Sequence, residues 1–369
     1  MTRTKTAARP AQGYATTRGT ERFRRRFAAR LEPHFYRSLS DTVHVSSLGI
    51  GTYLGECDDA TDSDYVTTLT TAFSRGVNLV DSAINYRCQR SERCVGTALS
   101  GAIADGVVKR DEVVICTKGG YIPLDGRPPA TRREYEDFLR AQYFDRGVMT
   151  PSDVVAGGHC IAPSYITDQI RRSARNLGVK TIDIYYLHNP EQQLDAVTRD
   201  NFRSRMRDAF VALEEAVADG LIACYGCATW GGFRVKPGSR PHLDLTELVA
   251  IAREAGGPDH HFRVLQLPIN LAMPEAVRLP TQRAGTTNVP LLQVTAELGM
   301  TVIASASLMQ GQLTRGLPAK VQEAFPGLTT DAQRAAAFVR GLPAVTTALI
   351  GMKSVVHLEE QLAAVALRS

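Results

Sequence analysis

The chain is predicted to fold as an α/β barrel, because short β-prone runs alternate with helix-like stretches along its 369 residues. Runs of aliphatic and β-branched residues predict eight strands, near residues 47–51, 77–81, 112–117, 182–187, 222–227, 263–267, 301–305 and 346–350. Periodic apolar positions predict eight following helices, near residues 64–75, 91–101, 166–177, 202–218, 244–255, 288–298, 331–340 and 355–367. Eight such units is the number in a (β/α)₈ TIM barrel.

A doubly wound sheet would show the same alternation, but it usually carries a glycine-rich loop after its first strand. The segment 49–55 reads G-I-G-T-Y-L-G, with the third glycine one place too late for G-x-G-x-x-G. No helix follows immediately, so this near-match does not predict a Rossmann site. The barrel is the favoured fold.

Composition indicates a globular chain, with 44% hydrophobic and 22% charged residues. No apolar stretch reaches the length of a membrane span, and the N-terminus lacks the apolar core of a signal peptide. We therefore expect a cytoplasmic location and no membrane partner. The seven cysteines are odd in number and irregularly spaced, which favours reduced thiols. Cys224 and Cys227 form C-x-x-C in a predicted strand, where they would face opposite sides, so no metal site is expected.

The positive net charge of the chain comes from its beginning. Residues 1–40 hold ten Lys or Arg and two Glu, so the remainder is slightly acidic and gives no nucleic-acid footprint. We predict a basic N-terminal extension over 1–36 and one barrel domain over 37–369. The extension is either an Arg-rich targeting peptide or a short basic helix near 21–31 that packs on the body through Phe23, Phe27 and Leu31; we favour the helix.

A long segment, residues 119–164, interrupts the strand–helix rhythm after the third predicted strand. It carries five prolines, and connections of this length usually bind or cover a ligand. Because it leaves the rim at which barrel active sites lie, we predict a lid over the pocket. The alternative is a surface insertion with its own helix near 132–143.

Four polar residues follow predicted strands: Asp81, Tyr86, Lys118 and His188. The carboxyl ends of parallel barrel strands meet at one rim, so these side chains are expected to gather there. A phenol ordinarily has a pKa near 10, and a neighbouring ammonium favours its ionised form. An acid, a phenol, an ammonium and an imidazole together predict a proton-donating site.

These residues resemble the motifs of the aldo-keto reductase family. Asp81-Ser82-Ala83-Ile84-Asn85-Tyr86, with Ser91-Glu92 and Val95-Gly96-Thr97-Ala98-Leu99, is similar to D-T-A-x-x-Y…S-E-x-x-x-G-x-A-L, and Lys118 and His188 complete that family's catalytic tetrad. The resemblance extends from about Val45 to Gln361. It implies a metal-free NAD(P)H-dependent oxidoreductase that reduces an aldehyde or ketone to an alcohol, or runs in the reverse direction, with Tyr86 as proton donor.

The resemblance also implies the binding residues. Those for the cofactor are Gly51, Thr52, Tyr53, Asp81, Thr229, Gln266, Ser305, Ser307, Leu308, Gly351, Lys353, Ser354, His357, Glu360 and Gln361. The substrate pocket is expected to comprise Tyr53, Tyr86, His188, Trp230 and His159. Its aromatic residues suggest a ring-containing or polyketide-like carbonyl.

The sequence departs from the family pattern in the cofactor half of the site. Ala228 stands where the family often has a Ser that holds the nicotinamide amide, and Ser305 where it has a stacking Tyr. His357 replaces a common Arg, while Lys353 keeps a positive charge. NADP(H) is therefore favoured, and NAD(H) stays open. These departures also keep open an alternative class, an NADP(H)-binding regulatory or interaction subunit with little turnover. The oligomeric state has no sequence signal.

Overall fold

The computed structural model describes residues 10–39 and 43–367, and it forms a closed barrel of eight parallel strands. Helix α1 (Thr17–Phe27) and the antiparallel strands β1 (Tyr36–Leu39) and β2 (Val43–Ser46) precede the barrel. The remaining strands are β3 (Leu48–Gly51), β4 (Leu79–Asp81), β5 (Val114–Gly119), β6 (Ile182–His188), β7 (Ile222–Ala228), β8 (Phe262–Pro268), β9 (Gln282–Ala284), β10 (Thr287–Val289), β11 (Thr301–Ser305) and β12 (Val345–Gly351).

The barrel runs in the order β3 to β8, then β11 and β12, which pairs with β3 and closes the ring. Strands β9 and β10 form a separate hairpin. All eight predicted barrel strands are thereby confirmed. The helices that follow α1 are α2 (Asp59–Ser74), α3 (Arg90–Ala104), α4 (Arg132–Leu139), α5 (Pro163–Leu177), α6 (Arg199–Ala218), α7 (Leu245–Gly256), α8 (Glu275–Arg278), α9 (Leu291–Glu297), α10 (Ala319–Ala324), α11 (Asp331–Arg340) and α12 (Val355–Ala363).

Two apolar layers hold the barrel together, because alternate strand residues face opposite sides. On β6, Ile184 and Tyr186 belong to the small cluster inside the barrel, while Tyr185 and Leu187 belong to the large cluster between strands and helices. The interior cluster also contains Leu39 and Val45 of the first hairpin, beside residues that open β4 and β5. The hairpin therefore plugs the N-terminal end of the barrel and leaves the opposite rim for the site.

Helix α1 packs on the body, as predicted for the basic segment, although it ends before Leu31. Phe23 is fully buried, and Arg22 and Arg26 form ion pairs with Glu112 at 2.7 and 2.8 Å. The basic residues of this helix are thus partly neutralised by the barrel. The predicted extension also includes residues 1–9, which lie outside the described residues. Across the described ranges, no helix combines the length and apolarity required to cross a bilayer.

The segment after β5 contains the predicted helix as α4, followed by a π-helical turn over Arg140–Phe144. Its two ends run side by side near the rim. Ile122 donates its backbone N–H to the carbonyl of Gly158 at 2.8 Å, and Cys160 donates to Gly120 at 2.8 Å. The segment therefore returns to the barrel close to where it left, and it brings Tyr121 to the rim.

We expect Asp183→Ala to lower the free energy of unfolding by about 3–5 kcal/mol, because the Arg110 guanidinium would lose its buried partner. Asp183 accepts from Arg110 at 2.6 Å, from Ile115 N at 2.8 Å and from Ala15 N at 2.6 Å. Urea unfolding measures the change. Asp105→Ala, on the exposed end of α3, is the control and should alter the free energy by less than about 0.5 kcal/mol. Equal effects of the two substitutions would contradict this assignment.

Candidate active site

The four strand-end residues meet at the C-terminal rim of the barrel. Asp81 is the last residue of β4, His188 is the last residue of β6, and Lys118 is the penultimate residue of β5. Tyr86 begins the turn Tyr86–Gln89 that follows β4. Parallel strands with matched carboxyl ends thus place all four side chains in one cluster.

Lys118 and Asp81 form a buried ion pair beneath Tyr86. The Lys118 Nζ donates to Asp81 Oδ2 at 2.5 Å and to the Ser82 carbonyl at 2.7 Å. Gln266 Nε2, from β8 across the barrel, donates to the other Asp81 oxygen at 2.7 Å. The Lys118 Nζ also lies 4.8 Å from the centroid of the Tyr86 ring. A cation is therefore fixed against the face of the phenol.

Burial and neighbouring charge have opposite effects on the pKa values of Lys118 and Tyr86. Burial alone lowers the pKa of Lys118, but the Asp81 carboxylate and the Tyr86 phenol outweigh it and raise that pKa above its ordinary value. Burial raises the pKa of Tyr86, and the Lys118 charge offsets only part of this rise. The direction of the Lys118 contribution was predicted correctly from the sequence, but the larger effect of burial was not. Tyr86 is consequently a protonated phenol at neutral pH.

His188 is held as a neutral imidazole. Burial lowers its pKa well below the ordinary value, and the nearby Lys118 charge lowers it further. Its ring makes edge-on contacts with Tyr86, at a centroid distance of 5.8 Å, and with Tyr121, at 4.9 Å. Among the described residues, the buried His188 Nδ1 has no hydrogen-bond partner. A neutral imidazole has one donor and one acceptor nitrogen, so His188 is able to donate a hydrogen bond to an oxygen in the site.

The structure does not place His159 in the pocket, contrary to the expectation from sequence. Its side chain is fully buried behind His188, and its Nε2 lies 2.7 Å from the His188 carbonyl oxygen. Gln193 Nε2 lies 2.7 Å from the other ring nitrogen, Nδ1. A carbonyl only accepts hydrogen bonds, so Nε2 carries the proton. A side chain at Gly120 would place its Cβ 2.8 Å from the same carbonyl, which explains the glycine at that position.

Tyr121 is a cavity residue that was not predicted from the sequence. Its hydroxyl accepts from Asn189 Nδ2 at 2.8 Å, and its backbone carbonyl accepts from the Tyr165 hydroxyl at 2.9 Å. The sequence feature that could have indicated this role is the position of Tyr121, three residues beyond Lys118 at the start of the predicted lid. Asn85 also lines the cavity, directly before Tyr86.

A cavity of about 750 Å³ opens above the cluster, within the usual range for small-molecule sites. Of the residues predicted to bind cofactor or substrate, those that line it are Gly51, Thr52, Tyr53, Asp81, Tyr86, His188, Thr229, Trp230, Gln266, Ser305, Ser307, Leu308, Gly351, Lys353, His357, Glu360 and Gln361. Lys118 lies beneath the floor with 1% of its surface exposed. Ser354 is not part of the lining; it precedes α12 at the N-cap position.

The cavity wall offers polar atoms suited to a nicotinamide cofactor. Within the described ranges, Thr229 Oγ1 and Asn85 Oδ1 are buried without hydrogen-bond partners. An unpaired buried hydroxyl is costly unless a ligand supplies the missing bond. Ala228 lacks the hydroxyl that the family pattern offers at that position, and Thr229 offers an unpaired hydroxyl at the next one. No group of three or more His, Cys, Asp or Glu in the described part of the chain is placed to hold a metal ion.

The Ser91-Glu92 and Gly96 positions of the family motif lie on α3 and hold the end of β5 in place. Glu92 is fully buried, and its carboxylate accepts from the Thr117 hydroxyl at 2.6 Å and from Asn176 Nδ2 at 2.8 Å. Thr117 directly precedes Lys118, so this contact fixes the end of β5. A Cβ at Gly96 would lie 2.5 Å from the Asn176 carbonyl, so glycine allows α3 to approach α5.

Comparison with known proteins identifies the family of the chain. A model of the aldo/keto reductase family matches residues 47–236, just over half of the chain. The chain is 28% identical over 172 residues to D-threo-aldose 1-dehydrogenase of a Pseudomonas species, covering 45% of this chain and 44% of that protein. It is 33% identical over 116 residues to prostaglandin-E(2) 9-reductase of Oryctolagus cuniculus, covering 31% and 34%. The chain thus matches less than half the length of these two curated relatives.

Solved structures share the fold over most of the chain. An aldo-keto reductase from Bacillus halodurans in its holo form superposes with a TM-score of 0.59 at 19% identity, covering 89% of this chain and 90% of that one. An aldo/keto reductase from Klebsiella pneumoniae, in complex with NADP and acetate, gives 0.60 at 19% identity, covering 91% and 92%. At this identity the likeness concerns the fold. Together with the family match, it shows that the chain belongs to the aldo/keto reductase family.

We expect stability to fall in mild acid because His159 is buried in its neutral form. Burial lowers the pKa of His159 from 6.5 to about 4, so between these values the unfolded chain binds a proton that the folded protein excludes. The free energy of unfolding should therefore decrease as the pH falls, by about 1.4 kcal/mol per unit for this histidine. Urea unfolding of wild type and His159→Gln at pH 6.5 and 5 tests this. The variant should lose less stability over the interval; equal losses would show that His159 titrates normally.

Proposed function

We propose that this protein is an NADP(H)-dependent oxidoreductase that reduces an aldehyde or ketone to an alcohol, with Tyr86 as the proton donor. The observation that carries the proposal is the Tyr86 phenol, placed at a 750 Å³ cavity with the buried Lys118 cation 4.8 Å from its ring. A carbonyl that accepts hydride becomes an alkoxide, and a proton donor within hydrogen-bonding distance is required. Tyr86 and His188 both line the cavity.

Each residue of the cluster has a distinct role in this proposal. Tyr86 transfers its hydroxyl proton to the developing alkoxide, and Lys118 stabilises the tyrosinate that remains. Asp81 holds Lys118 in place and keeps it charged. His188, being neutral, donates a hydrogen bond to the substrate oxygen without competing for the proton, and so orients the carbonyl and stabilises its negative charge.

The cofactor would lie along the cavity from Thr229 to the start of α12. Bound NADPH would supply the hydride. Thr229 offers its unpaired hydroxyl to the carboxamide, and Trp230, half exposed beside it, provides an aromatic wall where Ser305 does not. Lys353 and His357 line the far end. A lysine charge there supports 2′-phosphate binding, and the structural neighbour from Klebsiella pneumoniae was solved in complex with NADP.

Three aromatic residues line the substrate side of the cavity, and one of them, Tyr121, comes from the segment 119–164. Tyr53, Tyr121 and Trp230 give the cavity three aromatic surfaces, on which a ring-bearing carbonyl would stack. Relatives are named for aldose, 6-dehydroglucose and prostaglandin substrates. These names include ring-bearing molecules of different polarity. We therefore propose a ring-bearing aldehyde or ketone as the substrate class. A screen of such carbonyls with NADPH would identify the substrate.

We expect NADPH to bind more tightly than NADH, because Lys353 would pair with the 2′-phosphate. Binding is followed by the emission of Trp230, the only tryptophan, and confirmed by calorimetry. Lys353→Ala should weaken NADPH binding about tenfold, as loss of a charge-assisted hydrogen bond predicts, and leave NADH binding unchanged. Lys320→Ala, exposed on α10, is the matched control and should change neither affinity. Failure of wild type to bind either cofactor by both methods would contradict the proposed oxidoreductase, whereas tight NADPH binding without turnover of any carbonyl would favour the NADP(H)-binding interaction subunit.

We expect Tyr86→Phe to bind NADPH as wild type does and to lose turnover by about 10²–10⁴-fold, the usual contribution of a general acid. The rate is measured as NADPH oxidation with the best carbonyl from the screen. Tyr121→Phe is the control, because it removes a neighbouring phenolic hydroxyl that is not proposed to donate the proton. It should keep turnover within about tenfold of wild type. Wild-type turnover in Tyr86→Phe would mean that another group donates the proton.

A further inference from the structure

Two cysteine thiols face each other beside the active site. The Cys57 and Cys88 sulfurs lie 3.7 Å apart, and both residues are free thiols. Cys57 belongs to the loop after β3 and is partly exposed, whereas Cys88 is buried in the turn that begins with Tyr86. The pair therefore joins two of the loops that form the rim of the cavity.

An arginine clamp holds these loops in register. Arg87 Nε donates to the Glu56 carbonyl at 2.7 Å, and its Nη2 donates to the Asp58 carbonyl at 3.3 Å, so the guanidinium binds the carbonyls on both sides of Cys57. The same guanidinium pairs with Asp62 at 2.5 Å. Because Arg87 directly precedes Cys88, the clamp sets one thiol opposite the other.

The backbone of the Cys88 turn is unusual. Arg87, Cys88 and Gln89 have φ values of 48°, 54° and 69°, three consecutive non-glycine residues in the left-handed region. Such conformations are strained for residues with a side chain and persist only where their surroundings hold them. The Cys88 carbonyl accepts from Gly126 N of the lid segment at 2.9 Å, which adds a third loop to the contact.

The pair is closely coupled to the proposed proton donor. Tyr86 lies two residues before Cys88, Tyr53 lies four residues before Cys57, and the two tyrosine rings contact each other at a centroid distance of 5.0 Å. Any movement that brings the sulfurs together therefore acts on the segments that carry both rings.

We propose that Cys57 and Cys88 form a reversible disulfide under peroxide, a covalent modification site whose formation displaces Tyr86 and lowers turnover. Thiols 3.7 Å apart must approach to a bond length of about 2.05 Å, so at least one of the two loops moves. A misplacement of about 1 Å at a reacting group costs up to about 10²-fold in rate.

The chemistry balances with hydrogen peroxide as the oxidant. The partly exposed Cys57 sulfur attacks the peroxide O–O bond, forms a sulfenic acid and releases one water. The Cys88 sulfur then attacks the Cys57 sulfur, the S–S bond forms, the S–O bond breaks and a second water leaves. Two thiol protons and two electrons pass to the peroxide. Dithiothreitol reverses the modification by thiol–disulfide exchange.

Burial, the neighbouring Cys57 and the Asp125 carboxylate raise the pKa of Cys88 to about 12, against the opposing charge of Arg90. The thiolate is the attacking form, so the second step gains about tenfold in rate per pH unit below that value. Only a small fraction of Cys88 is thiolate at neutral pH. The short distance between the two sulfurs compensates for this, because groups fixed side by side react as if at very high concentration. Disulfide formation should therefore accelerate between pH 7 and pH 9.

The experiment treats the reduced full-length protein with hydrogen peroxide and measures intact mass, the disulfide peptide map and turnover together. We expect a mass lower by two hydrogens, a Cys57–Cys88 peptide, and a fall in turnover of at least about tenfold that dithiothreitol restores. Cys88→Ser should instead leave a sulfenic acid on Cys57 that dimedone captures. Cys224→Ser, which removes another partly exposed thiol, is the matched control and should oxidise as wild type does.

Two outcomes would overturn the proposal. The first is a peptide map in which Cys57 and Cys88 stay reduced while other cysteines oxidise. The second is a complete Cys57–Cys88 disulfide with unchanged turnover. The turnover readout rests on the proposed oxidoreductase activity, but the mass and peptide readouts do not. A protein that forms this disulfide yet reduces no carbonyl in its reduced state would therefore count against the proposed function and leave the thiol pair established.

Discussion

The structure of the site depends on one buried ion pair, between Lys118 on β5 and Asp81 on β4. Removing two charges from water is expensive, and their mutual attraction compensates only when the remaining hydrogen-bonding capacity is satisfied. Here the Ser82 carbonyl accepts from Lys118, and Gln266 donates to the second Asp81 oxygen. Strands β4, β5 and β8 each contribute a side chain to this network, and closure of the barrel brings β8 opposite the other two. The charge beneath Tyr86 is therefore a product of the whole fold.

Part of the family motif around this ion pair has a structural role and takes no part in the chemistry. Glu92 does not line the cavity. It is fully buried, and its carboxylate accepts a hydrogen bond from Thr117, the neighbour of Lys118. Gly96 removes a side chain that would collide with the backbone of α5. These contacts of α3 set the end of β5 and, with it, the position of the Lys118 ammonium.

The sequence was sufficient for the eight strands and for the cluster at their carboxyl ends, since barrel geometry alone places those ends at one rim. It was not sufficient for His159 or Tyr121, because their positions depend on how the segment after β5 folds back over the rim. The hairpin β1–β2 was also not predicted, because each of its strands has only four residues, too few for a clear alternation of apolar and polar positions. The net pKa shift of Tyr86 required knowledge of its burial, which no local pattern supplies.

The balance of burial and charge on Tyr86 sets the protonation state from which the proposed reaction starts. A phenol whose pKa is raised stays protonated at neutral pH and is ready to donate to an alkoxide, which is a far stronger base. The reverse reaction needs the tyrosinate as base, and burial makes that form scarce at neutral pH. Lys118 limits the rise and keeps the tyrosinate accessible, so alcohol oxidation should become competitive only as the pH increases. Near neutrality the protonated Tyr86 thus supplies the proton that carbonyl reduction would require.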